Sequence, residues 1–412
     1  MVVNMKHIME GFDKFISYKE AVNIFNSIKW EYPAYENVGI NNSINRIIYN
    51  DILSNMDVPE FDKSAVDGYA VRSVDTLNAS VNNPSKLTII GSESAEEKFD
   101  QNLNINECIE VYTGSEIPQG ADSVIKVEET ERSGNYIYVY SYSGENKNIF
   151  KKGEDLSKNY RILKKGDKIL PQHLAAMASV KINNVNVYKK IVIGIINTGN
   201  EIINKKIVNS TGILLKNYYS RPYTEVVDGG ICGDDEECII NHINKIIDKC
   251  NIIIITGGTS LGRRDKTTDA VSRIGSILFS GVAIKPGRTV ALFNIKNKPV
   301  ISVSGLPVAA LISSLVFVNM YIKKISNFDI YDKINGILDE NIHNKIGFTT
   351  FQICRAYTVN NRIHIKPLRT TGSGILSSII YGNSIVMVPD YKEGIEAGNI
   401  INAYKIGDIE WD

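Results

Sequence analysis

Residues 252–265 read I-I-I-I-T-G-G-T-S-L-G-R-R-D and constrain the fold more than any other stretch. Four consecutive isoleucines are too short for a long helix and are rich in β-branching, which favours a strand. No polar residue interrupts them, so both faces must be covered, as in the central strand of an α/β sheet. Thr256-Gly257-Gly258-Thr259-Ser260 then breaks the strand. Glycine lets the backbone turn sharply and approach a ligand closely. Free N–H groups in such a turn, ahead of a helix start, suit an anion. Asp265 follows five residues past Ser260, near that start. Ligands of open α/β sheets sit beyond the carboxyl ends of the strands, which makes this loop the first candidate site. The same pattern also fits a tight turn with no ligand.

Composition narrows the class. A chain of 412 residues has room for two to four domains, and 43% hydrophobic content permits a substantial core. Its 46 basic and 46 acidic residues cancel, which argues against nucleic-acid binding driven by bulk charge. The five cysteines are odd in number and form no C-x-x-C. With no signal peptide ahead of them, they read as reduced thiols of a cytoplasmic protein. Cys232-x5-Cys238 with His242 lacks a second ligand pair of zinc spacing, so no metal is read there. Residues 301–322 are apolar, yet Ser302, Ser304, Gly305, Pro307, Ser313, Ser314 and Asn319 interrupt them. They read as strand, turn and core helix and not as a membrane span.

In chain order, Ser17-Tyr18-Lys19-Glu20 opens an amphipathic helix over 17–28, and a second helical or mixed segment covers 44–53. Residues 58–72, V-P-E-F-D-K-S-A-V-D-G-Y-A-V-R, are dense in turn formers and polar groups, as loops at sites are. Asp67-Gly68 equally fits a hairpin turn. Residues 86–150 look like a small inserted β unit, and 171–180 return to helix. From 188 to 325 strands and helices alternate: a strand at 191–196, a helix at 222–227, a helix at 235–250 with acids at its start, and the central strand. Strands at 281–285, 289–295 and 300–303 and a helix at 308–322 follow. The tail, 335–412, reads as short alternating strands of an all-β unit, with Arg369-Thr370-Thr371-Gly372-Ser373-Gly374 as its site-like loop.

Six motifs then agree in order. V-P-x-F-D-x-S-A-x-D-G-Y-A-V-R at 58–72, Y-T-G-x-x-x-P-x-G-A-D at 112–122, G-E-D at 153–155, T-G-N-E at 198–201, G-G-T-S-L-G-x-x-D at 257–265 and A-I-K-P-G at 283–287 resemble the molybdopterin molybdenumtransferase family, of the MoeA and gephyrin E-domain type. The resemblance spans nearly the whole chain. It implies a multidomain α/β and β protein with a MogA-like three-layer molybdopterin-binding unit at 188–330. A discontinuous helical, dimerising unit at 1–57 and 155–187, an inserted mobile β unit at 58–154 and a C-terminal β-barrel at 335–412 complete it. It implies a homodimer, with the molybdopterin adenylyltransferase as a further partner and no nucleic acid or membrane. The implied reaction takes adenylylated molybdopterin and molybdate, or tungstate, and releases AMP with the help of Mg²⁺.

Hydrolysis of a phosphoanhydride suits a hard cation bridging phosphate oxygens, and Mg²⁺ prefers carboxylates and water. Acids in matching positions are Asp67, Asp155, Glu201, Asp234 and Asp265. The resemblance assigns Mg²⁺ and phosphate to Glu201, Asp234 and Asp265, with Asp67 and Thr113 completing the site from the inserted unit, of the same or the other subunit. Gly257, Gly258, Thr259, Ser260 and Pro307 would seat the pterin. Molybdate, a dianion, needs cations and donors, for which Lys285, Arg288 and Ser373 are candidates.

The chain departs from the family pattern in places. G-L-P-G-N-P-V-S-A becomes S-V-S-G-L-P-V-A-A over 302–310, so Ser304 replaces a proline and Leu306 an asparagine, with loss of donor and acceptor. Gly281 stands where the family has a second lysine, Asn200 where it has an aspartate, and Leu215 where a D-x-N begins. Three readings remain: an active metal-inserting enzyme, a weakened paralogue that binds or scaffolds molybdopterin, and an adenylyltransferase like single-domain relatives of the α/β unit. The retained acids favour the first reading over the second, and the inserted and tail units argue against the third.

Overall fold

The computed structural model describes residues 15–93, 101–258, 266–329, 331–368 and 376–409. The isoleucine run forms strand β3, Ile252–Thr256, with Ile252, Ile253, Ile254 and Ile255 fully buried. It lies inside a six-stranded sheet with β1 (Ile191–Thr198), β2 (Thr224–Cys232), β4 (Ser276–Ser280), β5 (Ala291–Ile295) and β6 (Lys298–Val303). Their order is β2-β1-β3-β6-β5-β4. β2, β1, β3 and β6 run parallel, while β5 and β4 are antiparallel additions at one edge.

Period-two alternation sends the isoleucines to opposite faces. Ile252 and Ile254 pack with Leu311, Leu315, Val318 and Tyr321 of the long helix Pro307–Ser326 and with Ala21 and Phe25 of the first helix, Tyr18–Ser27. Ile253 and Ile255 pack with Ile239, Ile243 and Ile246 of the helix Glu236–Ile246 and with Ala270 and Val271 of Lys266–Ser272. A sheet covered on both faces is what an unbroken apolar strand requires. Helix Pro307–Ser326 is long and apolar enough to cross a membrane, but two thirds of its most apolar window is buried in protein. Strand, turn and core helix over 301–322 is therefore the observed arrangement.

Residues 222–227 are not a helix. Most of them belong to β2, where Val226 and Val227 pair with Ile193 and Gly194. β-branched residues beside an open strand edge take the partner that is offered. The helix lies earlier, at Ser210–Tyr218, where Asn209 accepts from Gly212 N–H and caps it. Residues 281–285 give a strand only at Ile284–Lys285, and β4 just before it escaped sequence reading.

Residues 44–53 are also not helical. Ile47 and Ile48 bridge Lys168 and Val187, and Ile52–Leu53 pairs with Arg161–Leu163. Tyr35–Gly39 pairs in full with Asn184–Tyr188. The pieces before residue 58 and after 154 thus join through strands, around Ile48, Ile52, Leu163, Ile169, Met177, Val185 and Val187. This part is mixed: it keeps two helices, while its two pieces join by long-range strand pairing that local periodicity does not reveal. Of its two helices, Tyr18–Ser27 serves the α/β core, and Pro171–Ser179 contributes Met177 to the strand-built core.

Between them lies a six-stranded sheet from Gly68 to Val139, with apolar clusters on both faces. In the tail, Thr349–Val359, Arg362–Pro367, Lys333–Leu338, Ile400–Lys405 and Ser384–Val388 pair in that order, and the last pairs back with the first. This closes a barrel and removes its free edges. The tail is not all-β, because helix Leu376–Tyr381 packs beside it. Ile284–Lys285 of the α/β part adds to this sheet alongside Thr349 and Thr350.

Candidate active site

The parallel strands end together. β1 ends at Thr198, β3 at Thr256 and β6 at Val303. Their ends are laced by side-chain hydroxyls: Thr198 Oγ1 donates to the Thr256 carbonyl (3.2 Å) and Thr256 Oγ1 to Asn197 Oδ1 (3.0 Å). Gly257 N–H donates to the Val303 carbonyl at 3.0 Å. Gly257 has φ +92°, and a Cβ there would sit 2.4 Å from the Thr198 carbonyl oxygen. Gly258 has φ +71°, and its Cβ would fall 2.1 Å from Thr267 Oγ1. Both positions therefore require glycine. Thr267 Oγ1 is buried and has no hydrogen-bond partner among the described residues. Gly305 comes beside Gly257, its absent Cβ 3.6 Å from the Gly257 Cα, and its carbonyl accepts from Thr211 Oγ1 at 2.6 Å.

The acids come to the same rim. Asn200 N–H donates to Asp234 Oδ2 and Asp234 N–H to Asn200 Oδ1, each at 3.3 Å. This reciprocal pair ties the loop after β1 to the loop after β2. An aspartate at 200 would set two carboxylates against each other, whereas the neutral amide lets Asp234 approach. The next residue, Glu201, folds its carboxylate back over Gly199, where a Cβ would lie 2.7 Å from Glu201 Oε1. Glu201 is exposed and Asp234 half-buried. Two carboxylates at one rim fit a hard cation such as Mg²⁺, which takes one or two of them and leaves its other positions to water and phosphate oxygens. Pro307 is buried at the first turn of its helix, beside Gly305. Leu306 is 47% exposed at the position preceding that turn. Ser304 Oγ accepts from Leu306 N–H at 3.1 Å, so the serine supplies a turn contact that the leucine side chain cannot.

Lys285 and Arg288 are exposed on the turn that follows Ile284–Lys285. Gly287 between them packs on the early turns of Pro307–Ser326, where a Cβ would meet Ala309 and Ser313. Arg288 lies over the Phe15 ring at 5.9 Å. Gly281 proves to be a backbone position: its φ is +82° and a Cβ would come 2.8 Å from Phe15. It is not a vacant seat for a second lysine.

Asp67 and Thr113 meet each other but not the rim. Thr113 N–H and Oγ1 both donate to Asp67 Oδ1, at 2.7 and 2.8 Å. The backbone N–H first, then the hydroxyl, holds the Asp67 carboxyl below the usual range. Neither residue hydrogen-bonds to Glu201 or Asp234. Asp155 is exposed, its N–H on the Val58 carbonyl. Thr259, Ser260, Asp265 and Ser373 lie outside the described residues. Sequence reading missed Thr211, whose hydroxyl ties Gly305 in place, and Thr267, whose hydroxyl lies against Gly258. The run Asn209-Ser210-Thr211, a helix-start signal, could have marked Thr211.

A parallel α/β layer with a glycine-lined rim, joined to an inserted sheet and a closed barrel, defines a multidomain protein of the molybdopterin-handling class. Residues 16–180 match the family model "MoeA N-terminal region (domain I and II)", 194–324 "Probable molybdopterin binding domain" and 335–406 "MoeA C-terminal region (domain IV)". The chain is 31% identical over 389 residues to a molybdopterin biosynthesis protein of Methanocaldococcus jannaschii, covering 91% of this chain and 93% of that one. It is 29% identical over 397 residues to the molybdopterin molybdenumtransferase of Staphylococcus aureus, covering 94% of each. A solved molybdopterin biosynthesis MoeA protein of Pyrococcus horikoshii superposes with TM-score 0.82 at 30% identity, covering 95% of this chain and all of that one. The chain belongs to the MoeA family, transferases of molybdenum cofactor biosynthesis.

Proposed function

We propose that the rim binds adenylylated molybdopterin and that the protein joins molybdate, or tungstate, to it with release of AMP. The observation that carries the reading is the reciprocal Asn200–Asp234 pair, which ties Asp234 to the residue before Glu201 at the strand ends. Gly257 and Gly258 let the turn close onto Thr198 and Thr267, and Thr267 Oγ1 adds a buried group without a partner among the described residues. Water breaks the phosphoanhydride bond, giving AMP and the pterin phosphate, while the oxyanion condenses with the two dithiolene thiols and loses water. Glu201 and Asp234, with Asp265, would hold Mg²⁺ against the phosphate oxygens, where it screens charge developing on them. Lys285 and Arg288, joined by Ser373, would draw the oxyanion.

The proposal includes a homodimer in which Asp67 and Thr113 reach the rim of the other subunit. An exposed carboxylate, ordered by Thr113 and free of the rim in its own chain, supports this. It also includes the division into 1–57 with 155–187, 58–154, 188–330 and 335–412, supported by the strand pairing of Tyr35–Gly39 with Asn184–Tyr188. A cytoplasmic setting and handover from the molybdopterin adenylyltransferase complete it. The second reading, a scaffold without turnover, draws on the exposed Leu306. Purified protein given adenylylated molybdopterin, Mg²⁺ and each oxyanion in turn decides between them. Oxyanion-dependent AMP release supports the enzyme; tight pterin binding with no AMP supports the scaffold.

A further inference from the structure

Cys232, Cys238 and His242 converge although their spacing in the chain follows no zinc pattern. One ligand atom from each lies within 4.8 Å of the others, and they form the one such group of ligand-type side chains among the described residues. Cys238 and His242 are one turn apart on the helix Glu236–Ile246 and share a face. Asp235 caps that helix by accepting from Cys238 N–H at 2.9 Å, which fixes where Cys238 begins.

Cys232 arrives by a bulge. β2 pairs Asp228 with Ile195 but Ile231 with Asn197, so it carries one extra residue. Before the bulge Val227 faces the helix Glu236–Ile246. Strict alternation would send Ile231 to that face and Cys232 away from it. The extra residue reverses the parity: Ile231 is 44% exposed, and Cys232 is 1% exposed and packed with Ile239. Gly230, at φ +83°, forms the bulge, and a Cβ there would stand 3.5 Å from His242 Nε2. The absent side chain leaves room beside that nitrogen.

We propose that Cys232, Cys238 and His242 form a site for a thiophilic cation of the zinc class, with three protein ligands and a fourth position open to solvent. Zn–S bonds of about 2.3 Å and Zn–N bonds of about 2.0 Å in a tetrahedron set the ligand atoms roughly 3.5–3.8 Å apart. Cys238 Sγ lies 3.7 Å from Nδ1 of the His242 ring, which puts the thiol beside the imidazole whose other nitrogen would be the ligand. The Cys238 carbonyl lies 2.8 Å from Nδ1 and accepts its proton, which leaves the Nε2 lone pair free, the arrangement a metal-bound histidine uses. Two soft thiolates with an imidazole select zinc over the hard Mg²⁺ that the oxygen donors at the rim would take. The Cys232 carbonyl accepts from Gly199 N–H at 3.1 Å, and Asp234 follows two residues on. A bound cation would therefore staple the strand end that carries the rim.

The test is titration of the reduced full-length protein with Co²⁺. One equivalent should produce thiolate-to-cobalt charge-transfer absorption with tetrahedral d–d bands, and Zn²⁺ should bleach both. Cys238→Ser and His242→Ala should each weaken Co²⁺ binding by about 100-fold or more, while circular dichroism shows the fold retained. Zn²⁺ should raise the thermal midpoint of the wild type and not that of the double variant. Absence of the charge-transfer band at stoichiometric Co²⁺ would overturn the proposal. So would equal binding by the double variant, or a Cys232–Cys238 disulfide under reducing conditions. None of these readouts uses AMP release, so the outcome is independent of the function proposed above.

Discussion

The strand-end rim and the Asp67–Thr113 pair both carry acids and threonines, on opposite terms. At the rim, residues from four loops are forced together by the parallel strands that end there, and glycine at 257 and 258 is obligatory for steric reasons. On the inserted sheet, one exposed carboxylate takes its side-chain hydrogen bonds from a single neighbour among the described residues. The rim gathers groups from several loops, whereas the pair is local to the inserted sheet.

Breaking the rim should cost most. Gly258→Val places a branched side chain at φ +71° with its Cβ on Thr267 Oγ1. Backbone strain of about 1–3 kcal/mol adds to the clash, so the thermal midpoint should fall and pterin binding, followed by calorimetry, should vanish. Normal binding would show that the loop has another conformation. Thr211→Val is milder: loss of the hydrogen bond to the Gly305 carbonyl costs about 1 kcal/mol of stability, seen as a small fall in the thermal midpoint with pterin binding weakened but retained.

Complementation sharpens the other side of the comparison. Asp67→Asn and Glu201→Gln protomers, each inactive alone, should regain AMP release when mixed if the pair serves the neighbouring rim. No recovery in a mixed dimer would assign Asp67 to its own chain or to no site. The smallest effect is on titration. Asp67 sits low because Thr113 stabilises its charged form. A depressed folded value gives stability that is present above the unfolded carboxylate pKa, about 3.9, and is lost as pH falls through the folded value. Thr113→Val removes the hydroxyl but keeps the N–H, so the Asp67 carboxyl shift followed by NMR should titrate higher than in the wild type yet still below the ordinary range.

The rim was legible where chemistry is local. Ile252–Ile255 announced a doubly covered strand, Gly257-Gly258 a turn without side chains, and T-G-N-E an acid at a strand end. What escaped depended on partners distant in sequence. Residues 222–227 look helical until the free edge of β1 is known to be present. Residues 44–53 pair with residues more than a hundred positions away. Gly281 looked like a lost cation until Phe15 was found against it. Cys232-x5-Cys238 with His242 shows no zinc spacing, and their convergence is hidden in the sequence because a one-residue bulge decides which face Cys232 takes. Thr259, Ser260, Asp265 and Ser373, named from resemblance, lie outside the described residues and remain part of the proposal alone.

The central claim is that Glu201 and Asp234 act together on a phosphate-bound cation. The direct measurement is the rate of AMP release from adenylylated molybdopterin with saturating molybdate, as a function of Mg²⁺ concentration, for wild type and Asp234→Asn. Loss of several kcal/mol of charge stabilisation predicts a rate lower by about 10²–10⁴-fold, with higher Mg²⁺ demand and pterin binding retained. An unchanged rate and Mg²⁺ dependence in Asp234→Asn would contradict it.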